Sequence, residues 1–153
     1  MTDIEETPAL TEFRRSLFGN SAPGETIPAA YLLQLRRLTN SAEATLGIKH
    51  SSTVRTAFWV TGRVFGQLTC SGVNDSDAEV KGWVLRLDHI GHIDVEVKIE
   101  CDEPLQDVGR SGRVLKIDGN PFLSAAPGTA DLDKLAEIEA FIDAVLAAHA
   151  AAE

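Results

Sequence analysis

Sulfur and aromatic chemistry are scarce in this chain. It carries two cysteines, one methionine, two tryptophans and one tyrosine among 153 residues. Cys70 and Cys101 lack the spacing of a zinc site or a redox pair, so two buried thiols are expected rather than a disulfide scaffold. Long apolar runs are also missing. No stretch reaches the ~18 consecutive apolar residues of a membrane span. The first residues hold Asp3, Glu5 and Glu6, with neither a basic region nor an apolar run behind them. A cytoplasmic protein with no membrane partner is the expectation.

Basic residues are outnumbered, 14 to 23, for a net charge of −9. The excess is uneven: residues 117–153 hold seven acids and one base. Acidity of this size opposes non-specific binding of nucleic acid, whose phosphates need cations. The strand region is nearly neutral, so nucleic acid stays a possible partner. No internal repeat, nucleotide-binding loop or Gly-x-Ser-x-Gly elbow is present. No cofactor is implied, and catalysis would need a site assembled by the fold from distant residues.

What the chain does contain is strong local patterning. Trp83, Leu85 and Leu87 alternate with Val84, Arg86 and Asp88. Ile93, Val95, Val97 and Ile99 alternate with charged residues in the same way. This period of two predicts half-buried strands. A central β-hairpin over 80–101 follows if His89-Ile90-Gly91 is a three-residue loop with Gly91 left-handed. Leu87 would then face Ile93, Leu85 Val95 and Trp83 Val97, with Arg86 opposite Asp94 and Asp88 opposite His92. A two-residue loop would set apolar residues against charges. Trp83, Leu85, Val95 and Val97 are accordingly expected in the core.

Elsewhere, Thr7-Pro8 reads as a helix start, followed by an apolar face of Leu10, Phe13, Leu17 and Phe18, and Gly19-Asn20 as its stop. Residues 20–25 are turn-rich. A second helix is expected from Ile27-Pro28 to about Leu38, with a short helical continuation ending at Gly47. Residues 53–70 are rich in β-branched and aromatic residues and contain Gly62 and Gly66. Two strands, 53–61 and 63–70, or one bent strand, suit them better than a helix. Arg113–Ile117 reads as a fifth strand closed by Asp118-Gly119-Asn120-Pro121, and a last helix spans about 131–149.

Helices followed by strands and then a helix predict an α+β fold. The expected architecture is a mainly antiparallel sheet of about five strands, packed by two N-terminal helices and one C-terminal helix. Residues 1–25 read as an acidic tail, short amphipathic helix and linker, and 26–150 as one α+β domain. The stretch Val60-Thr61-Gly62-Arg63-Val64, the strand meander and the later Gly-Arg-Val-Leu-Lys-Ile-Asp-Gly segment are together similar to an OB-fold. That similarity implies a partly open barrel with flanking helices as the alternative.

Candidate sites follow from residue type. Asp88 and His92, with His89 and Asp94 nearby, could share a metal ion, but two ligands are too few for a tight site, and a solvated hairpin end with one Asp–His pair is the expectation. Gly109-Arg110-Ser111-Gly112-Arg113 could offer amides and guanidinium groups to a phosphate, or simply turn the chain before a strand. Arg55, Trp59 and Arg63 interleave basic and aromatic character as in single-strand binders. The same pattern arises when one ring is core and the other lies under a helix. Leu10, Phe13, Leu17 and Phe18 could dock on their own sheet, exchange between protomers or enter a partner's groove. The leading expectation is a non-catalytic protein-interaction module, a small acidic adaptor, assembly factor or chaperone-like protein that self-associates, as a homodimer, or binds a protein partner. The alternatives are an OB-like single-stranded nucleic-acid or ligand binder using Arg55, Trp59, Arg63, Arg110 and Arg113, and a small enzyme.

Overall fold

A computed structural model describes residues 7–19, 26–100, 110–125 and 132–152. Among them are three helices and two open antiparallel sheets, the α+β class that the element order predicts. The chain divides into two compact units, Met1–Leu85 and Arg86–Glu153.

The first unit begins with helix α1, Pro8–Phe18. The Thr7 hydroxyl accepts a hydrogen bond from the Leu10 amide at 3.3 Å, and Gly19 ends the helix at φ 76°. Helix α2, Ala29–Leu38, follows. Four strands come next, β1 (Ala44–Lys49), β2 (Val54–Val60), β3 (Val64–Ser71) and β4 (Glu79–Arg86), in spatial order β1-β2-β3-β4. Cross-strand partners fix the faces. Gly47 lies opposite Ala57, and Ala57 opposite Leu68. Trp59 pairs with Gly66, and Arg55 with Cys70. This face meets the helices: Leu10, Leu17, Ile27, Tyr31, Leu32 and Leu35 bury against Ala57, Trp59 and Cys70. The Tyr31 hydroxyl is tied to the Leu68 carbonyl at 2.7 Å, satisfying a buried polar group. The other face carries Phe58, Val60 and Phe65, all buried. Phe65 packs edge-to-face on Trp83, ring centroids 5.1 Å apart.

Residues 44–47, expected as the end of a short helical continuation, belong instead to strand β1. Close packing explains the glycine in it. A Cβ on Gly47 would lie 2.2 Å from the Leu17 carbonyl oxygen, so only glycine lets α1 approach this strand.

The second unit contains β5 (Ile93–Glu100), β6 (Arg110–Ile117), β7 (Asn120–Ser124) and helix α3 (Leu132–Ala152). The sheet order is β5-β6-β7, both pairings antiparallel. Helix α3 contacts β6 and β7 and buries Ile138, Phe141, Ile142, Val145 and Ala148, a spacing that repeats once per helical turn. Leu115, Ile117 and Leu123 are the buried residues of the sheet on that side. Asp118 (φ 50°) and Gly119 (φ 86°) make the β6–β7 turn with both central residues left-handed, the geometry that matches strand twist.

The central hairpin is corrected. Strands β4 and β5 belong to different sheets. Ile93 pairs with Ile117, Val95 with Leu115 and Val97 with Arg113. Between the two strands, Leu87–His89 forms a 3-10 turn that meets α3. Leu87 and Ile90 are buried there, and the Ile90 carbonyl lies 3.2 Å from Nε2 of His149. Gly91 is not left-handed. Burial of Leu87 and Ile90 thus replaces the tight loop. Among the described residues the strands number seven rather than about five, with β1 and β7 the additions, and two open sheets take the place of the OB-like barrel.

Candidate interaction surface

The residues that sequence patterning offers as ligands are mostly committed within the chain. Helix α1 spends its apolar face at home. Leu10 and Leu17 are buried in the helix–sheet core, with Phe13 and Phe18 packed against it. Trp59 is buried in the same core over Gly66, and Arg55 is buried beside Cys70. The Arg55 guanidinium donates to the carbonyls of Ser52 at 3.1 Å and Thr26 at 3.3 Å. Neither side chain is placed to stack or neutralise a nucleic acid at the surface. Arg63 is exposed in the β2–β3 turn, where the Thr61 hydroxyl accepts from the amides of Arg63 and Val64.

The Arg110–Arg113 segment is not an anion-binding loop. It is the start of β6, with Arg110 opposite Glu100 and Gly112 opposite Lys98. Extended ladder backbone does not converge its amides as a phosphate nest does. Gly109 and the side chain of Arg110 lie outside the described residues. Arg113 is held by α3. Its Nε donates to Glu139 at 2.5 Å, its Nη2 meets Asp143 at 2.7 Å, and its backbone amide donates to Glu139 at 2.8 Å. Desolvation lowers the pKa of this guanidinium, but hydrogen bonds and charge from Asp143 and Glu139 together outweigh it, and the pKa is raised.

Asp88 and His92 are likewise split between partners. Asp88 accepts two hydrogen bonds from Arg86, at 2.9 and 3.2 Å. His92 pairs with Asp94 at 2.8 Å. Loss of the hairpin register removes the juxtaposition that would have let them share an ion. Among the described residues no group of three or more histidines, cysteines or acids could hold a metal. No described helix is long and apolar enough to cross a membrane. Cys70 is a buried free thiol, and Cys101 lies outside the described residues.

Among the described residues of the second unit, strand β5 forms one edge of its sheet. Along it Val95, Val97 and Ile99 are 38%, 55% and 72% exposed. All three share a face, because Val95 lies opposite the buried Leu115 and Val97 opposite Arg113. Helix α3 packs on the β6–β7 part of this face, and exposure rises along β5 from Val95 to Ile99. Full burial of a valine or isoleucine is worth about 1.5–3 kcal/mol, so three exposed in a row forgo a large gain. An edge strand also presents a row of unpaired amides and carbonyls. The opposite face of β5 is charged. Glu96 bridges Lys116 at 2.6 Å and pairs with Lys98. These contacts, hydrogen bonding to Lys116 foremost, hold the Glu96 carboxyl down to about 2.

Sequence patterning identifies β5 as a strand but assigns Val95 and Val97 to the core. The signal that places them otherwise is Asp118-Gly119 between two apolar runs. It pairs β6 with β7, and α3 packs on those two strands. On β4, an edge of the other sheet, Val80 and Val84 are also exposed. Comparison with known protein families, curated proteins and solved structures returns no match.

Proposed function

We propose that this protein is a non-catalytic interaction module, a small acidic adaptor or assembly factor that works in the cytoplasm. The observation that supports this reading is the exposed row Val95, Val97 and Ile99 on the edge strand β5. An apolar row beside an open backbone ladder suits strand addition, in which main-chain bonds give affinity and alternate side chains give specificity. The charged residues considered for chemistry support the same reading through their internal partners: Arg113 is held by Glu139 and Asp143, and Arg55 by backbone carbonyls.

The test is a quantitative pull-down from the native host's extract with the intact protein and with Val95→Lys/Ile99→Lys. Interaction through β5 predicts that a protein species, a second copy of the chain included, is retained by the parent and lost by the double variant. Equal retention by both, or none by either, would refute it. Single-stranded DNA titrated at low and high salt is the companion measurement. Binding that weakens steeply with salt would point to phosphate contacts instead.

A further inference from the structure

We propose that β5 pairs with β5 of a second copy of this chain, antiparallel and with Val97 on the two-fold axis, joining two three-stranded sheets into one of six. The proposal rests on the interaction-module reading and names its partner.

The register follows from the strand itself. Side chains alternate, so antiparallel self-pairing keeps apolar opposite apolar only when some residue faces its own copy. Four centres, Val95 to Lys98, keep five or more residues of Ile93–Glu100 in the ladder. Centring on Glu96 or Lys98 sets that charge against itself. Centring on Val95 sets Asp94 against Glu96 twice. Centring on Val97 sets Val97 against Val97, Val95 against Ile99, and Glu96 against Lys98 twice. Only the Asp94–Glu100 pairs oppose like charges, at the ends of the ladder. Opposite charges directly across a sheet stabilise it, and like charges do the reverse.

The surroundings fit the same register. Lys116 already bonds Glu96 from the β6 side at 2.6 Å. Lys98 of the second copy would flank Glu96 from the other side, extending an alternating row of charges across the joined sheet. On the other face, Val95, Val97 and Ile99 of both copies would form one six-residue apolar patch. The ladder would use Asp94 to Glu100 in full, pairing the strand edge and bringing the two exposed rows side by side. A two-fold pairing is also closed, so it makes a dimer rather than a fibre.

Sedimentation velocity and crosslinking test this with the full chain. The parent protein is expected to sediment at twice the 16.5 kDa chain mass. Val97→Lys puts two ammonium groups together on the axis, and Lys98→Glu turns both attractive pairs repulsive. Each should weaken dimerisation by at least roughly tenfold, and Val97 and Lys98 are exposed enough for the fold to tolerate the change. A register readout stands apart from these effects. In a Cys101→Ser background, Val97→Cys should crosslink on mild oxidation, because directly opposed Cα atoms lie about 4.5–5.5 Å apart, within disulfide reach. Val95→Cys should not crosslink, since its copies would be four residues out of register, roughly 13 Å. A monomeric parent, a dimer indifferent to Val97→Lys, or crosslinking through residue 95 but not 97 would overturn the proposal. A monomer whose β5 amides gain protection from hydrogen exchange only with a different co-purified protein would also overturn it, while leaving the interaction-module reading standing.

Discussion

The carboxylate of Asp75 accepts a hydrogen bond from the backbone amide of Ala30 at 2.9 Å, joining the β3–β4 loop to the start of α2 across 45 residues. Helix α2 begins after Pro28, which offers no side-chain cap of its own. The first amides of a helix lack intrahelical partners and carry the positive end of its dipole, so a carboxylate from elsewhere serves as the cap. The neighbouring loop is organised to present it. Asp77 accepts from the amides of Val73 and Asn74, and the Thr26 hydroxyl donates to the Val73 carbonyl at 2.7 Å. Asp75→Ala should therefore cost about 1 kcal/mol, and Asp75→Asn, which keeps an acceptor, less. Thermal melting of the three proteins side by side checks the order. Equal melting temperatures would show that the cap is energetically silent.

Gly66 is a second place where two elements meet within atomic tolerance. A Cβ there would stand 2.2 Å from the Trp59 indole, which is itself buried in the helix–sheet core. Gly66→Ala forces the ring away from a packed position and should destabilise by about 1–3 kcal/mol. Gly62→Ala, whose added carbon meets nothing nearer than a Glu43 carboxylate oxygen at 3.4 Å, is the control and should change stability little. Urea midpoints for both variants measure the difference. A Gly66→Ala protein as stable as its parent would mean that Trp59 can move freely.

These contacts mark where sequence patterning succeeds and where it stops. Helices α1 and α2 and strands β2 and β3 are legible because caps, β-branched density and period act locally. Strand β5 is legible as a strand for the same reason. Its partner is not, since period two is identical whether Val95 faces Leu85 or Leu115. That choice is made by Leu87 and Ile90, which bury at the 3-10 turn, and by the left-handed Asp118-Gly119 turn. Strand β1 was hidden because Gly47 reads as a helix stop until Leu17 is seen against it. Arg55 and Trp59 show the corresponding limit for a binding site. A basic and aromatic alternation has one spelling in a stacking surface and in a core.

Acid sensitivity should be traceable to Glu96. Its carboxyl is held down to about 2 by Lys116 first and Lys98 second. In the unfolded chain an ordinary glutamate titrates near ~4.3. The unfolded state therefore binds the proton first as pH falls, and stability drops between about pH 4.3 and 2. Above that window the contribution is fully present. Asp77 and Glu79 are shifted in the same direction and add to the slope, so the informative quantity is the difference between the parent and Glu96→Gln. That difference should grow smaller as pH is lowered from 5 to 2. It should also shrink in high salt, because the pairs are solvent-exposed. A difference that stays constant with pH would refute the assignment.

Alkaline sensitivity should come from the helix–sheet core. Burial pushes the Cys70 thiol up to about 11, with Arg55 opposing and the Asp77 and Asp75 charges reinforcing. Burial likewise raises the Tyr31 phenol well above its ordinary range, with Cys70 adding to the effect. An unfolded thiol ionises near ~8.5 and an unfolded phenol near ~10. The folded chain keeps both protons after the unfolded chain has released them, so stability falls as pH rises from about 8.5 towards 11. Cys70→Ala should flatten the first part of that decline, and Tyr31→Phe the part above about pH 10, in chemical denaturation run across the alkaline range. The same burial protects the sulfur chemically. The thiolate is the reactive species, so iodoacetamide at pH 8 should label Cys70 far more slowly in the native protein than in urea. Peptide mapping separates that label from any on Cys101. Rapid native labelling of Cys70 would mean that the α1–α2 layer opens readily over the sheet.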